Sequence, residues 1–359
     1  MPRICAFTSA ATNYLPKAML LAKSLKRYHP NVDLFYGLCD DVDLEIDYHR
    51  DAFSEVISAS SLGIENFNSW SFKHNIVELS TAIKPFILEI LLERGYDAVF
   101  YFDPDIVVFS SLDDLFNLTA DASLSLTPHL LHAETADWAI IDNEICALQH
   151  GVYNLGYVGV SNNPEGRRFA RWWRDRCYSW CYDEISRGLF TDQRWIDLAP
   201  ALFDDVKIVK DHRFNVAPWN INHRKISGNV IDGFLVNDDK LGFYHFTGFD
   251  SGAHRQMAMR NSNNNPDLMK LVEWYENAIE FAPKDPAAKV EWAYARFENG
   301  QPIKEEYRRI YRDRTDLQKH FPNPYLSGDS TLHNWLETQG RIEYPRVFRS
   351  LIERVTGSL

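Results

Sequence analysis

Two carboxylates, Asp103 and Asp105, are separated by a single proline and interrupt an apolar run that extends from residue 98 to residue 109. Such a run is typical of a buried strand of a parallel sheet. Residues i and i+2 of an extended chain point to the same side, and a residue before proline favours extended backbone, so the two carboxylates should converge. Burying an ion without a partner costs several kcal/mol. The pair therefore predicts a Mg²⁺ or Mn²⁺ site, and the alternative is a turn whose aspartates cap backbone amides.

Alternating strands and helices should position these acids. Residues 4–8 and 34–38 indicate strands, and the helix predicted between them carries apolar residues at helical spacing, namely Ala18, Leu21, Ala22 and Leu25. Residues 81–94 predict a further helix, with Pro85 in its first turn and Gly95 after its end. This rhythm predicts an α/β fold, a mixed and mainly parallel sheet flanked by helices. Ligands of such sheets bind at the carboxyl ends of the strands, where Thr8, Asp40 and Asp103 are expected.

The composition is that of a large folded protein. Of the 359 residues, 45% are hydrophobic and 14% are aromatic, so we expect a catalytic domain over residues 1–260 and a helical C-terminal extension over residues 261–359. The net charge is −12, and the extension holds 14 Lys and Arg against 15 Asp and Glu, so residues 1–260 carry −11. This acidity argues against nucleic-acid binding, which depends on basic patches.

Neither a signal peptide nor a membrane-spanning helix is expected. The apolar part of residues 1–7 is too short and wrongly flanked for a signal peptide, and no stretch approaches eighteen uninterrupted apolar residues. The five cysteines have no metal-type spacing, and we interpret Cys177 and Cys181 as reduced packing residues of a helix. These features predict a cytoplasmic protein.

Six short motifs follow one another in a fixed order. They are Asn13-Tyr14, Lys84, Asp103-Pro104-Asp105, Tyr153-Asn154-Leu155-Gly156, Asp192-Gln193 and His245-Phe246-Thr247-Gly248. Over roughly residues 3–255 their order and spacing resemble the GT-A glycosyltransferases, especially the retaining family 8 galactosyl- and glucosyltransferases. The chain is also similar to uncharacterised bacterial glycosyltransferases of surface-polysaccharide clusters. The resemblance implies a GT-A (Rossmann-like) fold, with a nucleotide-sugar half over about residues 1–110 and an acceptor half over about 111–260.

The resemblance also implies a metal-bound diphosphate. In that family the Asp-x-Asp carboxylates bind Mn²⁺ together with the diphosphate of the sugar nucleotide, and Asp103 and Asp105 match them. His245 matches a third ligand, in a His-x-x-Gly pattern completed by Gly248. An imidazole ligand favours Mn²⁺ over Mg²⁺, whereas the alternative is a histidine of the core.

One feature of the family is absent. The family follows its glycine with Lys-Pro-Trp, whereas Gly248 is followed by Phe249-Asp250-Ser251. The lysine that contacts the diphosphate is therefore missing at this place, and Arg255 and Lys84 are the candidates to replace it.

The remaining motifs imply donor-binding residues. The loop expected after the first strand would hold the base and ribose through Thr8, Ser9, Asn13 and Tyr14, and Asp40 is a further candidate. Lys84, at a helix start, would contact the donor, and Asn154 and Gly156 would lie beside the transferred sugar. The alternatives are a plain strand-to-helix connection for the loop residues, a solvated surface lysine for Lys84 and a structural polar link for Asn154.

Asp192 and Gln193 match the pair that holds sugar hydroxyls under the anomeric carbon in that family. We expect the amide oxygen of Gln193 to stabilise the oxocarbenium-like sugar, and we expect the cation to stabilise the leaving diphosphate. Asp192 could instead cap a helix. The hypothesis is a metal-dependent transferase that moves a sugar from a UDP-linked donor to a glycan or glycolipid acceptor with retention of configuration.

Three other functions stay open. An inverting enzyme would use Asp192 as its base. A nucleotidyltransferase would normally carry a glycine-rich phosphate loop, which residues 7–17 lack. A non-catalytic carbohydrate-binding protein would not need the acids, His245 and Gln193 together.

Acceptor and partner contacts are less specified. Candidate acceptor contacts in loops are Trp70, Trp138, Trp219, His223, Asp137 and Asp142. The extension carries a basic set, Arg308, Arg309, Arg312 and Arg314, interleaved with acids. We expect a solvated helix or a homodimer contact there ahead of peripheral contact with the inner face of the cell membrane.

Overall fold

The computed structural model describes residues 2–42, 52–282 and 286–348. Its strands are β1 Ile4–Ala10, β2 Asp33–Leu38, β3 Glu55–Ser58, β4 Ala98–Phe102, β5 Ile106–Val108, β6 Leu124–Pro128, β7 Tyr153–Ser161, β8 Asp183–Glu184, β9 Leu189–Phe190, β10 Val206–Ile208, β11 Ile226–Asn229, β12 Gly233–Val236, β13 Asp239–Lys240 and β14 Phe243–His245.

Helices connect these strands and make up most of the C-terminal part. They are α1 Leu15–Tyr28, α2 Phe67–Phe72, α3 Ile76–Ala82, α4 Lys84–Glu93, α5 Asp113–Ala120, α6 Asp137–Ala139, α7 Cys146–His150, α8 Pro164–Trp180, α9 Ala199–Leu202, α10 Ala253–Asn261, α11 Pro266–Glu280, α12 Glu305–Asp313, α13 Thr315–His320, α14 Leu332–Trp335 and α15 Arg341–Glu343. Short 3₁₀ helices include Thr12–Tyr14, Arg194–Leu198 and Ala293–Ala295.

A seven-stranded sheet in the order β10-β6-β7-β4-β1-β2-β3 forms the centre of the fold. Strands β4, β1, β2 and β3 run parallel to one another, and β10 runs parallel to β6. Strand β7 is antiparallel to both of its neighbours, β4 and β6. The predicted mixed, mainly parallel sheet is confirmed.

Strand β4 is buried on both faces of the sheet. All five of its residues are buried, and alternate side chains point to opposite faces. Val99 and Tyr101 belong to a core that includes residues of α4 and α8, whereas Phe100 and Phe102 pack with residues of α1 and α5. Helices therefore flank the sheet on both sides, which a continuous apolar strand requires.

Two predicted boundaries were wrong. The first strand extends to Ala10, so Thr8 and Ser9 lie within β1 and pair in register with Tyr36 and Gly37 of β2. The helix predicted over residues 81–94 is two helices, α3 and α4, which meet at Ile83. Helix α3 begins earlier because Asn75 and Glu78 form a capping box at its N-terminus.

The four arginines of the C-terminal extension, for which a solvated helix or a homodimer contact was expected, all have partners within the described residues. Arg308 is buried and donates to the carbonyl oxygens of Phe72 and Tyr294. Arg312, whose side chain is 6% exposed, forms ion pairs with Glu78 and Glu184. The two others pair with nearby acids, Arg309 with Glu305 and Arg314 with Asp316 and Glu343. Arg308 and Arg312 therefore attach the extension to residues of the N-terminal part, whereas Arg309 and Arg314 pair within the extension.

Within the described ranges no helix combines the length and the apolar character that crossing a membrane requires.

Candidate active site

The acidic pair lies between two strands, and a third strand brings His245 to it. Strand β4 ends at Phe102 and β5 begins at Ile106, so Asp103 and Asp105 occupy the connection. Strand β14 pairs antiparallel to β5 with His245 opposite Ile106, and the Phe246 N–H donates to the Asp105 carbonyl oxygen at 2.9 Å. Long-range pairing therefore places an imidazole beside two carboxylates.

The three side chains form a compact set of candidate metal ligands. His245 Nε2 is 3.1 Å from Asp105 Oδ1 and 3.6 Å from Asp103 Oδ2. One ligand atom from each of the three residues lies within 4.8 Å of the others. Two carboxylates and one imidazole are the oxygen and nitrogen donors that suit Mn²⁺ and related divalent cations.

Asn154 fixes the orientation of the imidazole. Its Oδ1 accepts from the Gly156 N–H at 3.0 Å and from Asn215 Nδ2 at 3.1 Å, and it lies 3.2 Å from His245 Nδ1. Since an amide oxygen cannot donate, we assign the ring proton to Nδ1, which leaves the Nε2 lone pair directed at the acids. Asn154 is therefore a polar link that also serves the site.

Gly156 is required by the same packing. A Cβ atom at this position would lie 2.6 Å from His245 Nδ1 and 2.7 Å from Asn154 Oδ1. Any side chain would displace the imidazole or the amide that orients it. The Gly156 carbonyl oxygen also accepts from the Asp103 N–H at 2.9 Å.

The carboxylates and the imidazole shift one another's pKa. Burial disfavours the charged form of His245, but the charges of Asp105 and Asp103 outweigh it and raise its pKa above the ordinary 6.5. Burial likewise opposes ionisation of Asp105, and His245 reverses this, so the pKa of Asp105 is lowered. The site therefore attracts one positive charge, which can be a proton or a metal ion.

Lys84 lies between Asp103, one of the candidate metal ligands, and Asp192. Its Nζ is 3.3 Å from Asp103 Oδ1 and 3.1 Å from Asp192 Oδ2, and it lies 4.2 Å from the centroid of the Tyr101 ring. The Tyr101 hydroxyl donates to Asp103 Oδ1 at 2.6 Å. Lys84 is buried, so the alternative of a solvated surface lysine is wrong.

Asp192 and Gln193 lie beside this chain of charges. Burial raises the pKa of Asp192, and Lys84 counteracts the increase. Asp192 does not cap the following 3₁₀ helix, whose N-cap is Gln193. The Gln193 amide is held at both ends by backbone, since Oε1 accepts from the Leu155 N–H at 2.9 Å and Nε2 donates to the His150 carbonyl oxygen at 3.0 Å.

The residues expected to bind the base and ribose differ in burial: Thr8 and Ser9 are buried, whereas Asn13 and Tyr14 are not. Thr8 is fully buried, and its Oγ1 has no hydrogen-bond partner among the described residues. Ser9 Oγ donates to the Ser80 carbonyl oxygen. Asn13 is exposed and Tyr14 is half-buried in the 3₁₀ helix that follows β1.

Asp40 is occupied by protein groups. Its Oδ2 accepts from Thr12 Oγ1 at 3.0 Å, and its Oδ1 accepts from the N–H groups of Asp41 and Ala293. The side chain is fully buried and joins the C-terminal extension to the loop after β1. These bonds count against a donor contact by Asp40.

Gly248 lies in the turn after β14 and has a φ of +71°, a left-handed conformation that favours glycine. Arg255, a candidate to replace the missing lysine, forms ion pairs with Glu276 and Glu273 on α11 rather than with Asp103 or Asp105.

Of the expected acceptor contacts, Trp219 lies closest to the metal ligands, with its ring 5.4 Å from that of His245. Trp70 belongs to the core, since it is buried and its Nε1 donates to the Tyr178 carbonyl oxygen. Its expected place in a loop was wrong. The others contact different groups: Trp138 lies under the Arg260 guanidinium, Asp142 pairs with Arg260 and His223 pairs with Glu134, while Asp137 begins α6.

Sequence reasoning did not assign Asn215, His129 or Lys17 to the site. Asn215, with a φ of +50°, donates to Thr127 and Asn154, and His129 Nε2 lies 3.2 Å from Asn154 Nδ2. Lys17 is buried and forms an ion pair with Asp250. A signal existed for Lys17, because it precedes Leu21 by four residues on the apolar face of α1.

A separate cavity of about 1410 Å³ lies between α1, β5, β12 and α11. Its walls are mainly apolar, with Phe109, Phe234 and Trp274 among them, and its lining includes none of the three metal-ligand candidates. We place the chemistry at the acids, because convergent titratable groups define a reactive site better than volume does.

Comparison with known proteins gives distant similarities, and no family model matches the chain. Two Bacillus subtilis (strain 168) proteins are similar in sequence, and both are uncharacterised. YfnF is 24% identical over 273 residues, which are 74% of this chain and 88% of that protein. YfnD is 30% identical over 176 residues, which are 48% of this chain and 54% of that protein.

Solved structures are similar at low identity. The galactosyltransferase LgtC, in complex with donor and acceptor sugar analogues, has a TM-score of 0.44 and 16% identity over 79% of this chain and 97% of that chain. The glycosyltransferase GlyE of Streptococcus pneumoniae TIGR4 has a TM-score of 0.45 and 16% identity over 83% and 67%. Mouse xyloside xylosyltransferase 1 has a TM-score of 0.39 and 12% identity over 69% and 98%. All three are glycosyltransferases.

Proposed function

We propose that this chain is a metal-dependent glycosyltransferase of the GT-A fold. It would transfer a sugar from a nucleotide-diphosphate sugar, which we expect to be UDP-linked, to a glycan or glycolipid acceptor with retention of configuration. The observation that carries the proposal is the set formed by half-buried Asp103 with buried Asp105 and His245, joined through Lys84 to Asp192.

The donor set fits a divalent cation. Two carboxylates and an imidazole favour Mn²⁺ over Mg²⁺, which prefers oxygen ligands alone. Three protein ligands leave coordination positions for oxygens of a diphosphate. A cation bound there would act as a Lewis acid on the negative charge that develops on the leaving diphosphate.

The chain's own groups would prepare the site. Lys84 lies within ion-pair distance of both Asp103 and Asp192, and Asn154 holds the imidazole of His245 with Nε2 toward Asp103 and Asp105. Such fixed partners commonly determine metal affinity.

Gln193 would act on the sugar. Its amide plane is fixed by two backbone hydrogen bonds, so its oxygen can face positive charge on the anomeric carbon without reorganising. In the retaining reaction, the bond from the anomeric carbon to the diphosphate oxygen breaks and the bond to the acceptor oxygen forms on the same face. The acceptor's proton leaves with the diphosphate.

The inverting alternative is less well supported. A base must reach the acceptor hydroxyl, whereas Asp192 is fully buried and paired with Lys84 at 3.1 Å. The nucleotidyltransferase alternative lacks a glycine-rich loop after β1.

A panel of nucleotide sugars tests the proposal. Purified protein with Mn²⁺ should release nucleoside diphosphate from at least one donor, slowly to water and faster with an oligosaccharide or glycolipid acceptor, and EDTA should abolish the release. Retention is read from the anomeric configuration of the product by NMR. A protein that binds donors but releases nothing under any of these conditions would support the carbohydrate-binding alternative instead.

A further inference from the structure

Lys17 occupies an unusual position for a lysine. It lies in the first turn of α1, and its side chain is only 5% exposed. Its Nζ is 2.6 Å from Asp250 Oδ2, 4.0 Å from the centroid of the Tyr14 ring and 5.6 Å from that of Phe249. A buried ammonium needs an anion, and the described structure supplies this one from an exposed carboxylate, since Asp250 is 58% exposed.

Asp250 belongs to the loop that follows the third metal-ligand candidate. The loop comprises residues 246–252, between His245 at the end of β14 and the start of α10. Its first residue is bonded to the Asp105 carbonyl oxygen through the Phe246 N–H. The Lys17–Asp250 pair is therefore attached directly to the backbone that carries the metal ligands.

Two tyrosines complete the surroundings of this pair. The pKa of Tyr14 is raised by burial, then by the charges of Asp105 and Asp250, and by a hydrogen bond with Asp250. Tyr275 stacks on Phe246 with ring centroids 3.8 Å apart, and its hydroxyl is buried without a hydrogen-bond partner among the described residues. Burial followed by the charges of Asp105 and Asp250 raises the pKa of Tyr275.

The chemistry of these groups suits an oxyanion. Lys17, Tyr14 and Tyr275 are all donors, because both phenols stay protonated, and one of the three has an unused O–H group. A carboxylate from a loop satisfies them only in part. A phosphate group offers three oxygens at once and would bring its own negative charge to the edge of the metal site.

We propose that Lys17, with the hydroxyls of Tyr14 and Tyr275, binds the diphosphate of the donor, and that Asp250 occupies this position until the donor displaces it. The inference rests on the proposed function, since it assigns the diphosphate of that same donor. It also means that donor binding moves the loop attached to His245. Asp250 thus acts as an internal competitor of the substrate.

The test measures binding of nucleoside phosphates in the presence of Mn²⁺ by calorimetry. The probes are UDP, GDP and ADP, each compared with the corresponding monophosphate. Lys17→Met should weaken binding of the preferred diphosphate about 10- to 100-fold, as expected for loss of a charge-assisted hydrogen bond. The affinity for the corresponding monophosphate should change far less. Lys17→Arg should retain most of the affinity. Asp250→Asn should strengthen diphosphate binding about 2- to 5-fold, because a partly exposed ion pair is weak.

Lys23→Met is the matched control, because Lys23 is an exposed lysine on the same helix. It should leave both affinities unchanged. The Tm of each variant is measured alongside, and if Lys17→Met does not fold, Asp250→Asn alone decides.

The outcomes separate the two proposals. If the wild-type protein binds a diphosphate with Mn²⁺ and Lys17→Met binds it equally well, or if Asp250→Asn binds it less tightly, the role of Lys17 and Asp250 is refuted while the proposed function stands. If the wild-type protein binds no diphosphate in the presence of Mn²⁺, both proposals fail.

Discussion

Two buried ionic clusters in this protein differ in how their charges are balanced. In the cluster that attaches the C-terminal extension, Arg312 lies between Glu78 and Glu184, and Glu78 also accepts from the N–H groups of Asn75 and Asp183. In the metal-site cluster, Asp103, Asp105 and Asp192 face Lys84 and a titratable imidazole.

This difference in charge balance indicates which of the two clusters is suited to bind a positively charged ligand. Glu184 also pairs with Arg187 at 2.6 Å, so the extension cluster holds two arginines against two glutamates and is neutral, which is the pattern of a structural ion-pair network. The metal-site cluster has more negative than positive groups, and Asn215 Oδ1 and the Tyr275 hydroxyl near it are unpartnered among the described residues. Burial therefore does not distinguish the structural cluster from the candidate binding cluster, whereas the balance of charges does.

Loss of a metal ligand should have the largest effect. Asp105→Ala should lower Mn²⁺-dependent transfer by about 1,000-fold or more, because a bound cation supplies several kcal/mol of transition-state stabilisation. Release of nucleoside diphosphate and Mn²⁺ binding are the measurements. Asp121→Ala, which removes an exposed acid, is the control and should be fully active. Normal Mn²⁺-dependent activity of Asp105→Ala would refute the metal assignment.

Loss of the structural arginine should act on stability instead. Arg312→Met leaves Glu78 buried without its partner, so the free energy of unfolding should fall by about 3–5 kcal/mol. Urea denaturation followed by circular dichroism measures this loss. Arg309→Met on the same helix removes an exposed pair and should change stability by about 0.5 kcal/mol or less. Equal losses in the two variants would remove the contrast between the clusters.

Loss of the residue that orients the imidazole should have an intermediate effect. Asn154→Ala should weaken Mn²⁺ binding about 10- to 100-fold, as removal of partners to metal ligands generally does. Asn154→Asp keeps an acceptor for His245 Nδ1 and should retain more affinity. Asn162→Ala is the control, since Asn162 donates to the carbonyl oxygens of Leu92 and Tyr96. Binding by Asn154→Ala as tight as in the wild-type protein would show that the imidazole needs no such support.

The smallest expected effect is a pH dependence of the metal-free protein. The folded pKa of His245 is raised above 6.5, so its contribution to stability is complete below pH 6.5 and is lost as the pH rises through the folded pKa. The Tm measured in EDTA should fall as the pH rises through the folded pKa of His245. The increase in Tm on adding Mn²⁺ should grow over the same pH range, because a proton no longer competes for Nε2. His245→Asn should remove this part of the dependence. A Tm profile that is the same in wild type and His245→Asn would contradict the assignment.

The sequence predicted the features that local patterns determine. The apolar runs around Asp103 and Asp105 and the helix with Pro85 in its first turn indicated the sheet and the strand-end acids. The motifs then placed His245 and Asn154 near them, and both lie there. These successes rest on regular alternation along the chain and on short, ordered motifs.

What the sequence did not predict depends on contacts between distant residues. Lys17 and Asp250 are separated by 233 positions, and Arg312 and Glu78 by 234. Arg308 and Arg312 were expected in a solvated set, because their burial depends on carbonyl oxygens of Phe72 and Lys73 that no local pattern assigns to them. Asp40 was predicted as a candidate donor contact, and its Oδ1 accepts a backbone N–H from the extension, a bond that no local pattern assigns to it.

The hydrogen bond from Phe246 to Asp105 has a consequence for how the protein is made. The nascent chain carries both acids long before His245 leaves the ribosome, and Asn154 precedes His245 by 91 residues. Strand β14 must dock on β5 before the imidazole can join the acids, and contacts of such sequence separation form late in folding. If the proposed metal site binds its cation tightly, metal binding would therefore report that these strands have docked, and an unfinished chain would not hold the ion.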